Sequence, residues 1–354
     1  MRSSVAHRHI FHPTRGEPGF ALGSTTLTGL GSWIPKSKVS NEAFGQSIEW
    51  IDWRSFMRSS GVQTHHEIDT KTSLIDMAER AVIDLFSHGL SASNAKLEDV
   101  DTILWASVSR ALVEPATAIL LQKRLGIRKS VSFDISDACL SFADGLIVAD
   151  AFVNTGLSRN VLVVSAEHIS RIAYDSLMAI EKREYGRECL AALTLGDGAA
   201  AALVTHQSKH EPGLVVRAFQ RATLSEYVDA CTLEAFGQPM FTDAKRMFEG
   251  ALTHSLPMAN NLLHKIGWRL EDLDLIVPHQ ASLKVIKQAS QLMGLPLDVF
   301  AVTLDQFGNM ASVSVPFTLQ KAVSERKLSN GAKVLIGGFG SGLSFAMIAV
   351  QLKN

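Results

Sequence analysis

The chain has 354 residues, 46% of them apolar and 19% charged, and its 34 Lys+Arg against 35 Asp+Glu leave a formal charge of −1. This composition excludes wholesale disorder; without blocks of Lys and Arg it also excludes nucleic acid or an anionic membrane as the main partner, since both are recognised through clustered positive charge. At roughly 150 residues per domain, the length suggests about two domains or two intimately joined halves acting on a small-molecule substrate.

Residues 1–23 read as a mobile leader: they carry His7, His9, His12, Pro13, Gly16, Pro18 and Gly19 and lack the apolar core of a secretion signal. The string His7-x-His9-x-x-His12 has no acidic or thiolate companions, so no metal is expected there or elsewhere. In chain order, Thr25 to Trp33 reads as a strand, Ser73 to His88 as an amphipathic helix ending before Gly89, and Thr102 to Ser107 as a second strand. Val131 to Ile135 is a short strand. Leu140 to Thr155 follows as a helix, with Phe142, Leu146, Ala149 and Val153 at three- and four-residue spacing and Gly156 as its stop. Phe142 to Val153 is the longest apolar run, but Asp144, Gly145 and Asp150 break it, and no run reaches the roughly 18 residues of a membrane span. Asn160 to Ser165 is a β-branched interior strand.

Leu195-Gly-Asp-Gly198, running on to Val204, is echoed by Phe339-Gly-Ser-Gly342, running on to Val350. Each has a Gly-x-Gly turn before small and apolar residues, as expected where two duplicated sheets pack on common central helices. The Pro- and Gly-bearing stretch His206 to Gly213 is the natural junction, giving a first half over 24–206 and a second over 213–354. Alternating strand and helix patterns make the class α/β. Cys139, Cys189 and Cys231 are too few and scattered for a disulfide framework or a zinc site, which favours the cytoplasm.

Cys139 sits between a strand and the first turn of an apolar helix, whose unpaired N–H groups would stabilise a thiolate. Taken alone it reads as a packing residue. His279 follows the strand Leu273 to Val277 and Pro278 and opens an apparent helix through Ser290, a position that mirrors Cys139 in the other half. Asn309 follows Phe307-Gly308 in a turn that leads into a helix.

Together these residues resemble the thiolase superfamily, in its β-ketoacyl-acyl-carrier-protein synthase III branch. The matching strings, in family order, are Thr28-Gly-Leu-Gly-Ser-Trp-Ile-Pro35, Asp137-Ala-Cys139, Leu195-Gly-Asp-Gly198, Val277-Pro-His-Gln-Ala281, Phe307-Gly-Asn309 and Gly338-Phe-Gly-Ser-Gly342. The resemblance implies a five-layer αβαβα fold of two duplicated halves and a homodimer. It makes Cys139 the acyl acceptor, with His279 and Asn309 donating to the enolate oxygen of the second substrate, and the backbone N–H groups of Cys139 and Ser341 forming a second oxyanion hole.

The implied activity is carbon–carbon bond formation between acyl thioesters, with acyl-CoA or acyl carrier protein as substrate carrier and no resident cofactor. Around Glu114, the string Val113-Glu-Pro-Ala-Thr-Ala118 stands where ordinary synthase III enzymes carry an aromatic residue, and it is similar to the head-to-head acyl-CoA condensing branch of olefin biosynthesis. That likeness implies a non-decarboxylative Claisen condensation in which Glu114, reaching the partner's tunnel across the dimer interface, removes an α-proton. The alternatives are a decarboxylative synthase III using malonyl-ACP and a non-catalytic structural partner of an active paralogue. Trp53 and Arg58 stand in the region of the family's CoA-binding string, at altered spacing; Lys245 and Arg246 are read as phosphate or carrier-protein contacts, with a solvated helix face as the alternative.

Overall fold

The computed structural model describes residues 19–87, 94–206, 212–326 and 328–353. The first half runs β1 (Phe20–Leu22), β2 (Thr25–Trp33), β3 (Ser37–Ser40), α1 (Asn41–Phe44), α2 (Trp53–Ser60), β4 (Thr64–Glu67), α3 (Leu74–Ser87) and β5 (Thr102–Ala106). It continues through α4 (Thr117–Arg124), β6 (Val131–Ile135), α5 (Ser141–Asn154), β7 (Asn160–Glu167), α6 (Ser170–Glu181) and β8 (Gly198–His206). The second half runs β9 (Gly213–Tyr227), β10 (Cys231–Thr232), β11 (Phe241–Thr242), α7 (Ala244–Lys265), β12 (Leu275–Pro278) and α8 (Leu283–Met293). It closes with α9 (Leu304–Phe307), α10 (Ser314–Glu325), β13 (Lys333–Gly340) and β14 (Gly342–Lys353).

The strand order repeats between halves. In the first, β2 is antiparallel to β8 and β8 to β7, while β7, β5 and β6 are mutually parallel neighbours. In the second, β9 is antiparallel to β14 and β14 to β13, β13 is parallel to β12, and a parallel bridge from Ile276 to Phe300 stands where a fifth strand would lie. β2 and β9 meet through Thr26–Val215 and Leu27–Leu214. One spacing along the chain relates Leu97-Glu98-Asp99 before β5 to Leu270-Glu271-Asp272 before β12, and the same spacing relates Cys139 to Ser312. This corrects the expected mirror relation: the counterpart of Cys139 is Ser312, and His279 occupies the place of Ala106, at the end of a parallel strand rather than at the start of a central helix.

Alternation of side chains across the sheets produces the layers. Leu104 and Ala106 of β5, Val161 and Val163 of β7, and Ala202 and Val204 of β8 face the central helices, as do Val277, Ile336 and Ile348 from the second sheet. From α5, Phe142, Leu146, Ala149 and Val153 fill that middle core, joined by Val315 and Leu319 of α10. The intervening residues Ile103, Trp105, Leu162 and Val164 point the other way, onto α3 and α4, while Ile276, Leu335 and Met347 point onto α7. Because both faces of each sheet are covered, the interior strands read as nearly continuous apolar runs.

Three sequence readings shift at their edges. Of the leader over 1–23, residues 1–18 and the histidine string lie outside the described residues, but Phe20–Leu22 is a strand paired with Ala218–Gln220 of β9, so backbone pairing fixes its last part. The helix over 73–88 ends at Ser87 where described, with His88 and Gly89 outside the described residues. The strand from Asn160 extends to Glu167. Among the described residues, no helix is long and apolar enough to cross a membrane.

At Gly31, β2 passes so close to α3 that a Cβ there would lie 2.3 Å from Leu85 N and 2.5 Å from Ala81 O. Helix backbone cannot swing aside as a side chain can. Gly31→Ala should therefore destabilise the protein by about 1–3 kcal/mol, measured as a lower urea midpoint at unchanged m-value.

Candidate active site

The turn from β6 into α5 is built to present one residue. Ala138 adopts a left-handed backbone at φ +48, the Asp137 N–H donates to Ser141 Oγ at 2.9 Å, and that hydroxyl donates to Ala138 O at 2.8 Å. Cys139, inside this turn, is partly buried and packs against an apolar cluster that includes Ile172, Leu190, Leu193 and Ala311. Burial pushes its thiol up, reinforced by Cys231, Glu167 and Asp137, while its own backbone N–H opposes. The expected thiolate stabilisation by the helix terminus is thus outweighed: desolvation of the sulfur is the larger effect, and the resting group is the thiol.

His279 follows β12, its N–H held by Gly337 O at 2.9 Å. It is 4% exposed, stands edge-on to Phe339 at 6.3 Å between centroids, and its Nδ1 has no hydrogen-bond partner among the described residues. Burial lowers its pKa to about 4, so the imidazole is neutral at physiological pH. Asn309 lies where the halves are stitched together: its N–H donates to Thr194 O at 2.8 Å, and its carbonyl accepts from Gly196 N at 3.0 Å. Its Oδ1 accepts from Ala311 N at 2.9 Å, which fixes the amide orientation and turns Nδ2 into the donor end.

The end of β13 gathers these segments. A Cβ at Gly338 would lie 2.7 Å from His279 Cβ, and one at Gly340 would lie 3.5 Å from Cys139 N. Residues two apart on a strand share a face about 7 Å apart, so Cys139 and His279 approach the same side of one strand; a side chain at position 338 would collide with His279, whereas a Cβ at position 340 would only touch Cys139 N. Ser341 follows Gly340 in the turn into β14, next in the chain to the glycine that lies against Cys139 N.

Glu114 does not enter the site of its own chain. It lies in an exposed loop between Val113, which is 94% exposed, and Pro115. Both ends of that loop are anchored, by Glu167 accepting from the Val108 and Ser109 N–H groups at 2.9 Å and by Asp134 accepting from Thr117 and Ala118 at 2.9 Å.

The residues expected to meet the thioester carrier, Trp53 and Arg58 for CoA and Arg246 for phosphate or carrier protein, separate. Trp53 turns inward, packing on Phe56 at 5.0 Å and on the cluster that holds Cys139, because this face of α2 is apolar. Arg58, on the outer face of α2, lines a groove of about 360 Å³ with Ser55, Ser59, Leu283, Lys284 and Lys287. Arg246 is engaged elsewhere, donating to Asp229 at 2.8 Å and to Glu226 O while lying over Tyr227, so it belongs to the α7–β9 surface. Lys245 pairs with Glu249 on an exposed helix face.

Two residues escaped the sequence reading. Glu167, fully buried at the end of β7, accepts from Val108, Ser109 and Ser312 Oγ. Ser312 repeats the turn around Cys139, with Ala311 at φ +43 and Met310 N donating to Ser314 Oγ at 2.9 Å. The parallel strings Ala138-Cys-Leu-Ser141 and Ala311-Ser-Val-Ser314 were the available signal. Among the described residues, no group of His, Cys, Asp or Glu could hold a metal ion.

The buried imidazole carries a pH prediction. The unfolded histidine titrates near 6.5 and the folded one near 4, so the unfolded chain takes up the proton first. Stability from this group is complete above about pH 6.5 and is lost as pH falls toward 4, by roughly 3 kcal/mol. His279→Asn should remove that acid sensitivity, seen as a smaller drop in urea midpoint between pH 7 and 5 than in the unsubstituted protein.

Residues 133–222 match the family described as 3-Oxoacyl-[acyl-carrier-protein (ACP)] synthase III, and residues 263–352 match its C-terminal family. A β-ketoacyl-[acyl-carrier-protein] synthase III of Deinococcus deserti is 30% identical over 339 residues, covering 93% of this chain and 91% of that protein. One from Oceanobacillus iheyensis is 29% identical over 329 residues, covering 92% and 98%. Among solved structures, Aquifex aeolicus 3-oxoacyl-[acyl-carrier-protein] synthase III superposes with a TM-score of 0.80 at 24% identity, covering 92% of this chain and 99% of that one. Xanthomonas campestris OleA with bound lauric acid and lauroyl-CoA superposes at 0.83 and 23% identity, covering 94% and 100%. The thiolase-like architecture, the repeated halves and these matches together establish that the chain belongs to the 3-oxoacyl-[acyl-carrier-protein] synthase III family of Claisen-condensing acyltransferases.

Proposed function

We propose that this protein condenses two acyl-CoA molecules without decarboxylation, through an acyl intermediate on Cys139. The observation that carries this reading is the setting of Glu114. Its carboxylate stands outside its own chain's site, on an anchored loop whose neighbours Leu112 and Val113 are exposed apolar side chains. Such a loop is suited to a second copy, where the carboxylate can serve as a base in the partner's acyl tunnel. The edge position of β6, the last strand of the sheet, with Val131 exposed, also supports a homodimer, since an unpaired strand edge invites pairing.

In this reading the Cys139 sulfur bonds to the acyl carbon of the first thioester, and CoA leaves with the thiol proton. The partner's copy of the glutamate then removes an α-proton from the second acyl-CoA. His279, neutral because it is buried, and the amide of Asn309 donate to the enolate oxygen. The enolate carbon attacks the acyl-Cys carbonyl, whose oxygen is met by the backbone N–H groups of Cys139 and Ser341; the sulfur departs and regains a proton. The product is a 2-alkyl-3-ketoacyl-CoA. The apolar cluster around Cys139 suits the acyl chain, and the groove lined by Arg58, Lys284 and Lys287 suits the phosphates of the carrier. A lauroyl-CoA complex of the structural neighbour OleA supports a long-chain substrate.

The relatives are named β-ketoacyl-[acyl-carrier-protein] synthase III, and that name favours a second reading for this chain, a decarboxylative condensation using malonyl-ACP. Purified protein given only a long-chain acyl-CoA should gain acyl mass at Cys139 and release the branched β-keto product. Glu114→Ala should keep the acyl mass and lose condensation by about 100-fold or more, in line with removal of a general base. CoA release without branched product from acyl-CoA, with β-keto product formed only once a malonyl thioester is added, would establish the decarboxylative reading instead. Absence of any acyl mass at Cys139 would establish a structural subunit.

A further inference from the structure

One guanidinium grips both ends of the turn that carries Cys139. Arg221, on β9, crosses from the second half: its Nη2 donates to Asp137 Oδ2 at 2.9 Å, its Nε meets Asp144 Oδ1 at 2.9 Å, and its Nη1 donates to Phe345 O at 3.4 Å. Asp137 stands two residues before the nucleophile, and Asp144 lies in the first turn of α5. The side chains of Arg221, Asp137 and Asp144 are 26%, 26% and 15% exposed, so solvent screens these pairs less than surface pairs. Arg221 is itself anchored, its N–H donating to Gly19 O at 2.6 Å and its backbone opposite Ala346 of β14.

We propose that Arg221 is a positioning residue for the nucleophile: by clamping Asp137 and Asp144 it holds the turn that presents Cys139, and the ionisation of Asp144, by dividing the guanidinium between two carboxylates, tunes the reactivity of the sulfur. Two carboxylates on one guanidinium carry excess negative charge when both are ionised, and burial pushes Asp144 up to about 7, with Arg221 opposing and Asp137 reinforcing. Among the described residues, Arg221 and Asp137 are the charged groups acting on Asp144; Asp150, farther along α5, is held by Thr25 Oγ1 and Ser24 N. Asp137 is one of the groups that push the Cys139 thiol up. Below about pH 7, Asp144 is neutral and the guanidinium serves Asp137. Above it, the guanidinium is divided, the charge on Asp137 weighs more on the sulfur, and the thiolate fraction climbs less than tenfold per pH unit.

The effect on turnover rests on the acyl-Cys139 reading, but the reactivity of the sulfur does not, so the test uses iodoacetamide. The thiolate sulfur displaces iodide, the thiol proton passes to buffer, and peptide mass mapping assigns the alkylation to Cys139 rather than Cys189 or Cys231. In the unsubstituted protein the log rate should rise from about pH 6 to 9 with a shoulder near 7. Asp144→Asn, nearly isosteric, should lose the shoulder and react about threefold faster at pH 8. Arg221→Met should react about tenfold more slowly at that pH, one pKa unit of lost compensation, and Arg221→Lys should recover part of the rate. An unchanged pH profile in Asp144→Asn overturns the proposal, and so does wild-type reactivity in a folded Arg221→Met. If Arg221→Met does not fold, the Asp144→Asn profile decides. A protein that proves not to condense acyl thioesters would still give these alkylation results.

Discussion

The site depends on a buried carboxylate that belongs to both halves. Glu167 ends β7 of the first half, yet accepts from Ser312 at the head of the second half's central helix and from the backbone of Val108 and Ser109. A carboxylate in such a place is costly unless every lone pair finds a donor, so the arrangement is close to all-or-none. Burial raises its pKa, and these donors oppose the shift without cancelling it. Through Ser312 it holds the turn that begins at Asn309, and through Val108 and Ser109 it holds the root of the loop that ends in Glu114. Asp197 performs a parallel service, accepting from Ile68, Ile169 and Ser170 and tying β4 and α6 to the start of β8.

Burial governs the electrostatics of the site more than helix dipoles do. It pushes the Cys139 thiol up and the His279 imidazole down, so both partners rest neutral. A neutral pair in an apolar recess is a poor place to store charge but an effective place to meet it: donors held in low dielectric act strongly on an oxyanion when one forms. The Asp137–Arg221–Asp144 cluster supplies the charged counterpart beside the turn, where a guanidinium between two carboxylates is held by the second half.

Much of the fold was legible in the residues. The apolar strand runs, the amphipathic spacing of Phe142, Leu146, Ala149 and Val153, and the twin Gly-x-Gly echoes point to duplicated α/β halves, because buried parallel strands and central helices leave strong local patterns. The pairing of halves was harder to read. His279 looked like the mirror of Cys139, since both follow a short strand and open a helix, but local pattern does not say which strand neighbours which. The repeated Leu-Glu-Asp strings would have shown that Ser312 is the counterpart.

By itself, the sequence determined the element types, the family resemblance and the residue types at Cys139, His279 and Asn309, because motifs and periodicity are local properties of the chain. Tertiary structure alone decided that Trp53 faces the interior, that Arg246 is taken by Asp229 and Tyr227, that Glu114 is exposed on its loop, and that Arg221 pairs with Asp137 and Asp144 on either side of Cys139. Those are long-range pairings between side chains on different elements. Hydrophobic spacing fixes which face of an element is buried, but not which distant charge it will meet.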